Sequence, residues 1–588
     1  MESLRTSTLG KLTRQRGAPL VLELDLTDGI IESRPTDPVS AIMTRHQPAI
    51  TEILAALKTA RKDDRVRALI VKLGGKPIGL GAVQELREAV RRFRAEGKAT
   101  VAWAETFGEF SAGNVPYYLA TAFETIWLQP SGDLGLTGLA TERVFLRGAL
   151  DKLGVRMEIG ARHEYKSAAE QLTETGYTEA AREATARMAE SITEQLAEAV
   201  AERGKIEPGK AAELVSEGPY LAEQALQAGL VDTLGYRDEV YSSVMRHARD
   251  GQEPVLLYLG RYYRAREMAS RARQLTAPRP YSVALIHAAG AIRRGRNGRS
   301  PLTGAAMGSD SITAALRTAT ADPRIRAIVL RVNSPGGSYV ASDSIWHEVV
   351  RARNAGKPVV VSMGDVAASG GYFISMAADA IVAQPGTVTG SIGVISGKPV
   401  LGDMLGKAGV TTDSVVIGKH AAMFSTAHPF TPEEWSLVDA WLDHIYADFT
   451  GKVAVGRGLS AQRVHELARG RVWTGADARE RDLVDELGGI EDAAEIARSR
   501  AALPASAPLV HYPKLGPLER VRPASNSEDR RAAAGAWLAD AGRAAVGTVG
   551  ASAASLLAES WGPVSQLAAS FGLPAAGPLM LPGSWTFS

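Results

Sequence analysis

Ser369 lies in D-V-A-A-S-G-G-Y (Asp365–Tyr372), directly after the apolar run P-V-V-V-S-M and before F-I-S-M-A-A-D-A, which reads as helical. A serine between strand and helix, followed by two glycines, holds its hydroxyl at a tight turn near a helix N-terminus. Backbone N–H groups and the helix dipole there favour developing negative charge, as a nucleophile requires. The same position suits a serine that merely caps the helix. It is not a G-x-S-x-G elbow, because Ala367 stands where the first glycine belongs. Earlier, N-S-P-G-G (Asn333–Gly337) follows the strand-like A-I-V-L-R-V. Proline fixes one turn dihedral and the glycines allow backbone geometry closed to other residues. Such a turn presents N–H groups able to hold an oxyanion, although a Pro-Gly pair by itself also fits an ordinary turn.

A serine hydroxyl needs a base. The chain has 10 histidines, none in a triad-like context. His347 and His465 are each followed by Glu, but Arg351 and Arg469 stand where the second histidine of H-E-x-x-H would be. His287 ends a core strand and reads as structural. Lysine is the other base, provided burial brings its pKa down from ~10.4. Lys166, in H-E-Y-K-S-A, has Tyr165, Ser167, Ala168 and Ala169 around it, a stretch able to bury it; a solvated lysine at a helix end is the alternative. The chain contains no S-x-x-K, which excludes a local dyad of the penicillin-binding type.

The elements that must position these residues occur twice. D-D-R-V-R-A-L-I-V-K-L-G-G (Asp63–Gly75) resembles A-D-P-R-I-R-A-I-V-L-R-V-N-S-P-G-G (Ala321–Gly337), and three further matches follow in the same order. Aligned on Tyr117 and Tyr372, the first-copy counterpart of Ser369 is Asn114, and K-L-G-G-K-P replaces N-S-P-G-G. Aligning M-E-I-G before Lys166's loop with V-V-I-G before Lys419 sets Phe424 opposite Lys166. One copy keeps the serine and the other the lysine. Such complementary loss points to one composite site per chain, built where the copies meet.

Each copy alternates strand-like runs (R-A-L-I-V-K-L, A-T-V-A-W-A-E; A-I-V-L-R-V, P-V-V-V-S-M) with helical patterns. The expected class is therefore α/β, with mostly parallel sheets flanked by helices. The expected organisation is an N-terminal segment 1–18, a first repeat 19–249 supplying the lysine, and a connector 250–280 with some helix. A second repeat 281–500 supplies the serine, and an Ala/Pro/Gly-rich tail covers 501–588. Lys+Arg 67 against Asp+Glu 65 offers no electrostatic reason to expect a nucleic-acid partner. The absence of cysteine excludes a thiol nucleophile, a disulfide framework and a thiolate metal site. The N-terminus has no apolar h-region, so neither a signal peptide nor a spanning helix is expected. Ser560–Ser588 is uncharged but broken by four prolines, too interrupted to span a membrane. It suits either packing on the protein or peripheral membrane contact.

N-S-P-G-G, A-S-G-G-Y, T-G-S-I-G and Y-K-S-A, in this order of function across both copies, resemble the long form of the signal peptide peptidase A family. Those bacterial serine peptidases carry tandem domains related to the Clp protease and crotonase folds. The resemblance spans about Pro19 to Arg500. It implies Ser369 as nucleophile and Lys166 as general base. It also implies Gly370 and the Gly336–Gly337 turn as oxyanion-hole donors, and Ser391 as the serine that positions the lysine. No metal or cofactor is implied. The family further implies hydrophobic peptide substrates, such as cleaved signal peptides, and a homotetramer. The N-terminal anchor of the best-known long forms is missing here, so the expected location is cytoplasmic or peripheral at the cytoplasmic membrane. Rival readings are a crotonase-like acyl-CoA enzyme, which would need neither Ser369 nor Lys166, a non-catalytic scaffold, and a general cytoplasmic peptidase with the same dyad.

Overall fold

A computed structural model describes residues 17–34, 44–274, 280–300, 304–513 and 579–580. The chain forms two compact units. Among the described residues, the first contains those up to Ala140 together with 192–274; the second contains Thr141–Ser191 and those from Pro280 onward. The units therefore differ from the sequence repeats. Residues 141–191, which the repeat assigns to the first copy, pack in the second unit.

The first unit is built on a six-stranded parallel sheet. Its spatial order is Thr233–Leu234, Thr125–Leu128, Ala99–Ala104, Val66–Leu73, Leu20–Asp25 and Val255–Tyr258. The second unit's main sheet follows the same chain order, with Ser282–Ala289, Ile325–Ser334, Val359–Ala368 and Ala380–Ala383 as parallel neighbours. These strands are buried almost without a break, as Ile325–Ser334 illustrates. Burial on both faces is why they read as continuous apolar runs rather than alternating ones. Helices such as Leu80–Arg94 and Tyr339–Asn354 form from the helical patterns between the strands.

The copies share particular bonds as well as topology. Tyr117 donates its hydroxyl to Leu230 O at 2.8 Å, and Tyr372 donates to Leu483 O at 3.0 Å. Asp232 accepts from Ile126 N–H, and Asp485 from Ile381 N–H. The tyrosines used to align the sequences thus occupy equivalent places.

Three local expectations need correction. Val255–Tyr258, inside the expected connector, pairs in parallel with Leu20–Glu23 and completes the first sheet. Leu509–His511, inside the expected tail, pairs with Val283–Leu285 at the edge of the second. Both are four residues or fewer, too short for strand periodicity to show in sequence. F-I-S-M-A-A-D-A does not form the expected helix: the helix is Gly370–Phe373, and irregular turns follow to the strand Ala380–Ala383. Most of segments 1–18 and 501–588 lies outside the described residues, including the uncharged C-terminal stretch except Leu579–Met580. Among the described residues, no helix is long and apolar enough to cross a membrane.

Replacing Tyr372 by Phe leaves a buried carbonyl without its donor, at a cost of about 1–3 kcal/mol. A lowered melting temperature for Tyr372→Phe, with a similar loss for Tyr117→Phe, is the expected outcome in thermal unfolding.

Candidate active site

The strand Val359–Ala368 carries Ser369 at its C-terminal end. Ser369 has φ +55° and ψ −113°, a conformation that costs a non-glycine residue about 1–3 kcal/mol. The surroundings enforce it. Its N–H donates to Gly390 O at 2.8 Å and its C=O accepts from Phe373 N–H at 2.8 Å. The hydroxyl makes no N-cap bond, so helix capping does not account for this serine.

The glycines of the two motifs lie against each other. A Cβ on Gly370 would stand 2.8 Å from Ser342 Oγ, 3.0 Å from Gly336 Cα and 3.1 Å from Gly337 N. Only a residue without a side chain allows this approach. The N-S-P-G-G turn is locked by Ser334, whose hydroxyl donates to Gly290 O at 2.7 Å and accepts from Gly336 N–H at 3.2 Å.

Lys166 reaches the same place from a distant part of the sequence by way of one antiparallel ladder. Arg156–Arg162 pairs with Val394–Val400, from Arg156 opposite Val400 to Arg162 opposite Val394. Lys166 follows the end of the first strand, and Ser391 precedes the start of the second. The paired strands therefore bring the Y-K-S-A loop and the T-G-S-I-G turn together. Arg162 secures the junction by donating to Asp439 at 2.9 Å and Asp443 at 2.5 Å. Behind the lysine, Ala168 and Ala169 pack with Ile395, which explains the small residues after it.

Lys166 Nζ lies 2.8 Å from Ser369 Oγ, 3.0 Å from Ser391 Oγ and 3.0 Å from Ser391 O. Lys166 is 4% exposed, and Ser369 and Ser391 have no exposed surface. Burial holds the amine well below its ordinary value of 10.5, with no carboxylate opposing the shift. A neutral amine has two N–H donors and one lone pair. Ser391 Oγ and O can take the donors, which leaves the lone pair for the Ser369 hydroxyl proton. Ser391 also has positive φ (+52°), and its N–H donates to Arg471 O at 2.7 Å.

The structure thus gathers Ser369, Lys166, Ser391, Gly370 and the Gly336–Gly337 turn in one compact unit, with the lysine on an arm from the first repeat. Gly470 was not legible beforehand. It has φ +84°, and a Cβ there would stand 2.5 Å from Lys166 N and Cβ, so it is the floor on which the lysine rests. R-G-R-V-W, its surroundings, contains no chemical group that would single it out. In the first unit, Asn114 starts the helix Asn114–Ala120, and its amide Nδ2 donates to Gly138 O at 2.8 Å. The first copy has an amide engaged with backbone where the second has a hydroxyl. His287 stacks on His511, and His465 packs on His163; the side chain bonded to Ser369 Oγ is Lys166. Among the described residues, no cluster of three or more His, Asp or Glu could hold a metal ion.

A mostly parallel α/β core with a buried serine against a desolvated lysine belongs to the class of serine hydrolases. Comparison with known proteins narrows this. The model of peptidase family S49 matches residues 92–250 and 351–503, and that of Clp protease matches 305–386. The chain is similar to Protease 4 of Salmonella typhi, 33% identical over 77% of this chain and 72% of that one. It is also similar to Protease 4 of Haemophilus influenzae, 31% identical over 81% and 77%. A third relative is the chloroplastic serine protease SPPA of Arabidopsis thaliana, 31% identical over 76% of this chain and 64% of that one, just under two thirds of its length. The chain belongs to peptidase family S49, whose model matches it twice, and is a serine peptidase. The acyl-CoA reading falls with that membership.

Two outcomes test the lysine's setting. Gly470→Ala should displace Lys166 and reduce peptidase kcat/KM by about 100-fold, as expected for a misplacement of ~1 Å, and should also lower the melting temperature, because Ala is strained at φ +84° and its Cβ meets the Lys166 backbone. In the unfolded chain Lys166 is protonated below pH 10.5; in the folded chain it is neutral down to its lowered value. Folding therefore releases a proton between those values. Its stability penalty grows as pH falls from 10.5 to the folded pKa and is constant below. Lys166→Met removes that penalty. Thermal unfolding should show the variant gaining more over wild type at pH 7 than at pH 10.

Proposed function

We propose that the peptidase works through a Ser369–Lys166 dyad and cleaves hydrophobic peptides such as the remnants of signal peptides. The observation that carries this reading is the 2.8 Å contact between Lys166 Nζ and Ser369 Oγ inside a site with almost no water access. Neutral Lys166 takes the Ser369 proton as Oγ attacks the peptide carbonyl carbon. The resulting oxyanion is held by Gly370 N–H and by the N-S-P-G-G turn. Because Gly336 N–H donates to Ser334 Oγ, the turn's contribution falls mainly to Gly337. The C–N bond then breaks, and the lysine ammonium passes its proton to the departing amine. Water, deprotonated by Lys166, attacks the acyl-enzyme, the Ser369–acyl bond breaks, and Oγ recovers its proton.

Ser391 positions the amine. Its hydroxyl and carbonyl occupy the two N–H donors, so the lone pair stays aimed at Ser369. The relatives' names support signal peptides as the substrate class: one shorter relative is called a putative signal peptide peptidase. We extend the same inference to assembly as a homotetramer, with peripheral contact at the cytoplasmic membrane.

Ser369→Ala and Lys166→Ala should each lower kcat on an apolar fluorogenic peptide by about 10⁴-fold or more, as removal of one member of a nucleophile–base unit does. The wild-type rate should rise with pH through an apparent pKa well below 10.5, because the neutral amine is the active form. Ser391→Ala should lower kcat about 10- to 100-fold with KM nearly unchanged and move that apparent pKa. Retention of activity by Lys166→Ala would sink the dyad even if Ser369 proved essential.

A further inference from the structure

The tripeptide Arg469–Arg471 bonds to both loops that meet at the amine. Arg469 O accepts from Tyr165 N–H at 3.1 Å, Gly470 N–H donates to Ile392 O at 2.8 Å, and Arg471 O accepts from Ser391 N–H at 2.7 Å. Tyr165 precedes Lys166 in the chain, and Ser391 is bonded to its Nζ. These are backbone contacts, and they leave the side chains of the tripeptide to be explained. The Arg471 guanidinium lies 4.8 Å from the ring centroid of Tyr165 and 4.5 Å from that of Trp473. It pairs with one carboxylate oxygen of Glu183 at 2.9 Å, and the other oxygen accepts from the Tyr165 hydroxyl at 2.6 Å. Arg471, Glu183 and Tyr165 thus close a triangle beside the base. The other cations here are balanced too. Arg469, 5.3 Å from the Tyr165 ring, pairs with Glu164 at 2.9 Å. Arg481, across Trp473, lies 3.6 Å from Asp477.

From this arrangement we infer that Arg471 and Glu183 are positioning residues for Lys166, holding the Arg469–Arg471 backbone against the base's loop while leaving no net charge beside the amine. The inference rests on the Ser–Lys reading for the role of Lys166, and adds to it two residues that do not touch the amine. Stability is a poor explanation for the pair. The Glu183 side chain is 54% exposed, and ion pairs with such access to solvent contribute little. Geometry is a better one, since a planar guanidinium can stack on a ring and bond a carboxylate at once, which an ammonium cannot. The Tyr165 hydroxyl, and after it Arg471, hold the Glu183 carboxyl below its ordinary value, so the pair stays charged at neutral pH. Balance matters because a desolvated amine responds to any unopposed charge nearby. A carboxylate favours its ammonium form and a cation disfavours it.

The test compares Arg471→Met, Glu183→Gln and the double variant in the full chain, with an apolar fluorogenic peptide. Methionine removes the cation and keeps the backbone carbonyl that Ser391 uses; glutamine removes the anion and keeps an acceptor for Tyr165. Arg471→Met should lower kcat about 10-fold or more with KM within about twofold of wild type, as for a displaced base. The apparent pKa of kcat, which reports the enzyme–substrate complex, should rise in Arg471→Met, where Glu183 is left unopposed, and fall in Glu183→Gln, where Arg471 is. The double variant should return it close to wild type, with kcat no lower than in Arg471→Met, because both residues act through one bridge. A merely structural role would loosen the loop in either variant and move both values the same way. Shifts of the same sign, no shift, or a wild-type kcat in Arg471→Met overturn the inference. Should Arg471→Met not fold, the half-exposed Glu183 still decides: a lowered apparent pKa in Glu183→Gln supports the inference, and an unchanged or raised one overturns it. Lys166→Ala is assayed alongside. Its retention of activity would overturn the Ser–Lys reading, whereas an inactive Lys166→Ala beside unshifted variants overturns the Arg471–Glu183 inference alone.

Discussion

The rest of the second unit depends on keeping one amine out of water. An amine can act as a base only when neutral, and burial favours the neutral form of Lys166 by removing the solvation an ammonium needs. A nearby carboxylate would defeat the arrangement by favouring the charged form. The site instead surrounds the amine with serine oxygens and backbone, which orient it without charging it. This choice costs stability, because a desolvated amine replaces a solvated ammonium. The surrounding structure offsets that cost with the ladder Arg156–Arg162 to Val394–Val400 and with the ion pairs of Arg162.

The same constraint explains why the arm 141–191 packs in the second unit rather than with its own repeat. A lysine delivered on a loose segment would hydrate and reprotonate. A seven-residue ladder, together with close contact of the loop with Gly470, excludes water and sets the distance to Ser369. Further along the arm, Arg187 donates to Asp477 at 3.1 Å and Ser191 meets Thr474 at 3.1 Å. These contacts tie the arm to the strand Val472–Thr474, which borders the T-G-S-I-G region through Val388–Gly390. Ser369 and Ser391 thus adjoin strands of the second unit's main sheet, and Lys166 is tied to that sheet through the arm.

Duplication then has a physical rationale. Two copies of one α/β unit retain the same skeleton, down to the Tyr117 and Tyr372 bonds. The first copy has Asn114 where the second has Ser369, and the second has Phe424 where the first has Lys166. Asn114 in the first copy engages backbone, while Phe424 in the second is largely exposed.

Much of this was legible in the amino-acid order. Apolar runs flanked by helical patterns determined an α/β class, since doubly buried strands and amphipathic helices leave unmistakable local periodicities. Residue type and the repeat singled out Ser369 and Lys166, because the missing partner in each copy is visible as Asn114 and Phe424. Short edge strands such as Val255–Tyr258 left no comparable signal, since pairing at a sheet edge is decided by what lies beside it. The 2.8 Å approach of the lysine, the lowering of its pKa by burial and the support from Gly470 belong to tertiary structure alone. Desolvation and close contact are properties of what surrounds a residue in space, and the chain order of residues some two hundred positions apart does not encode that locally.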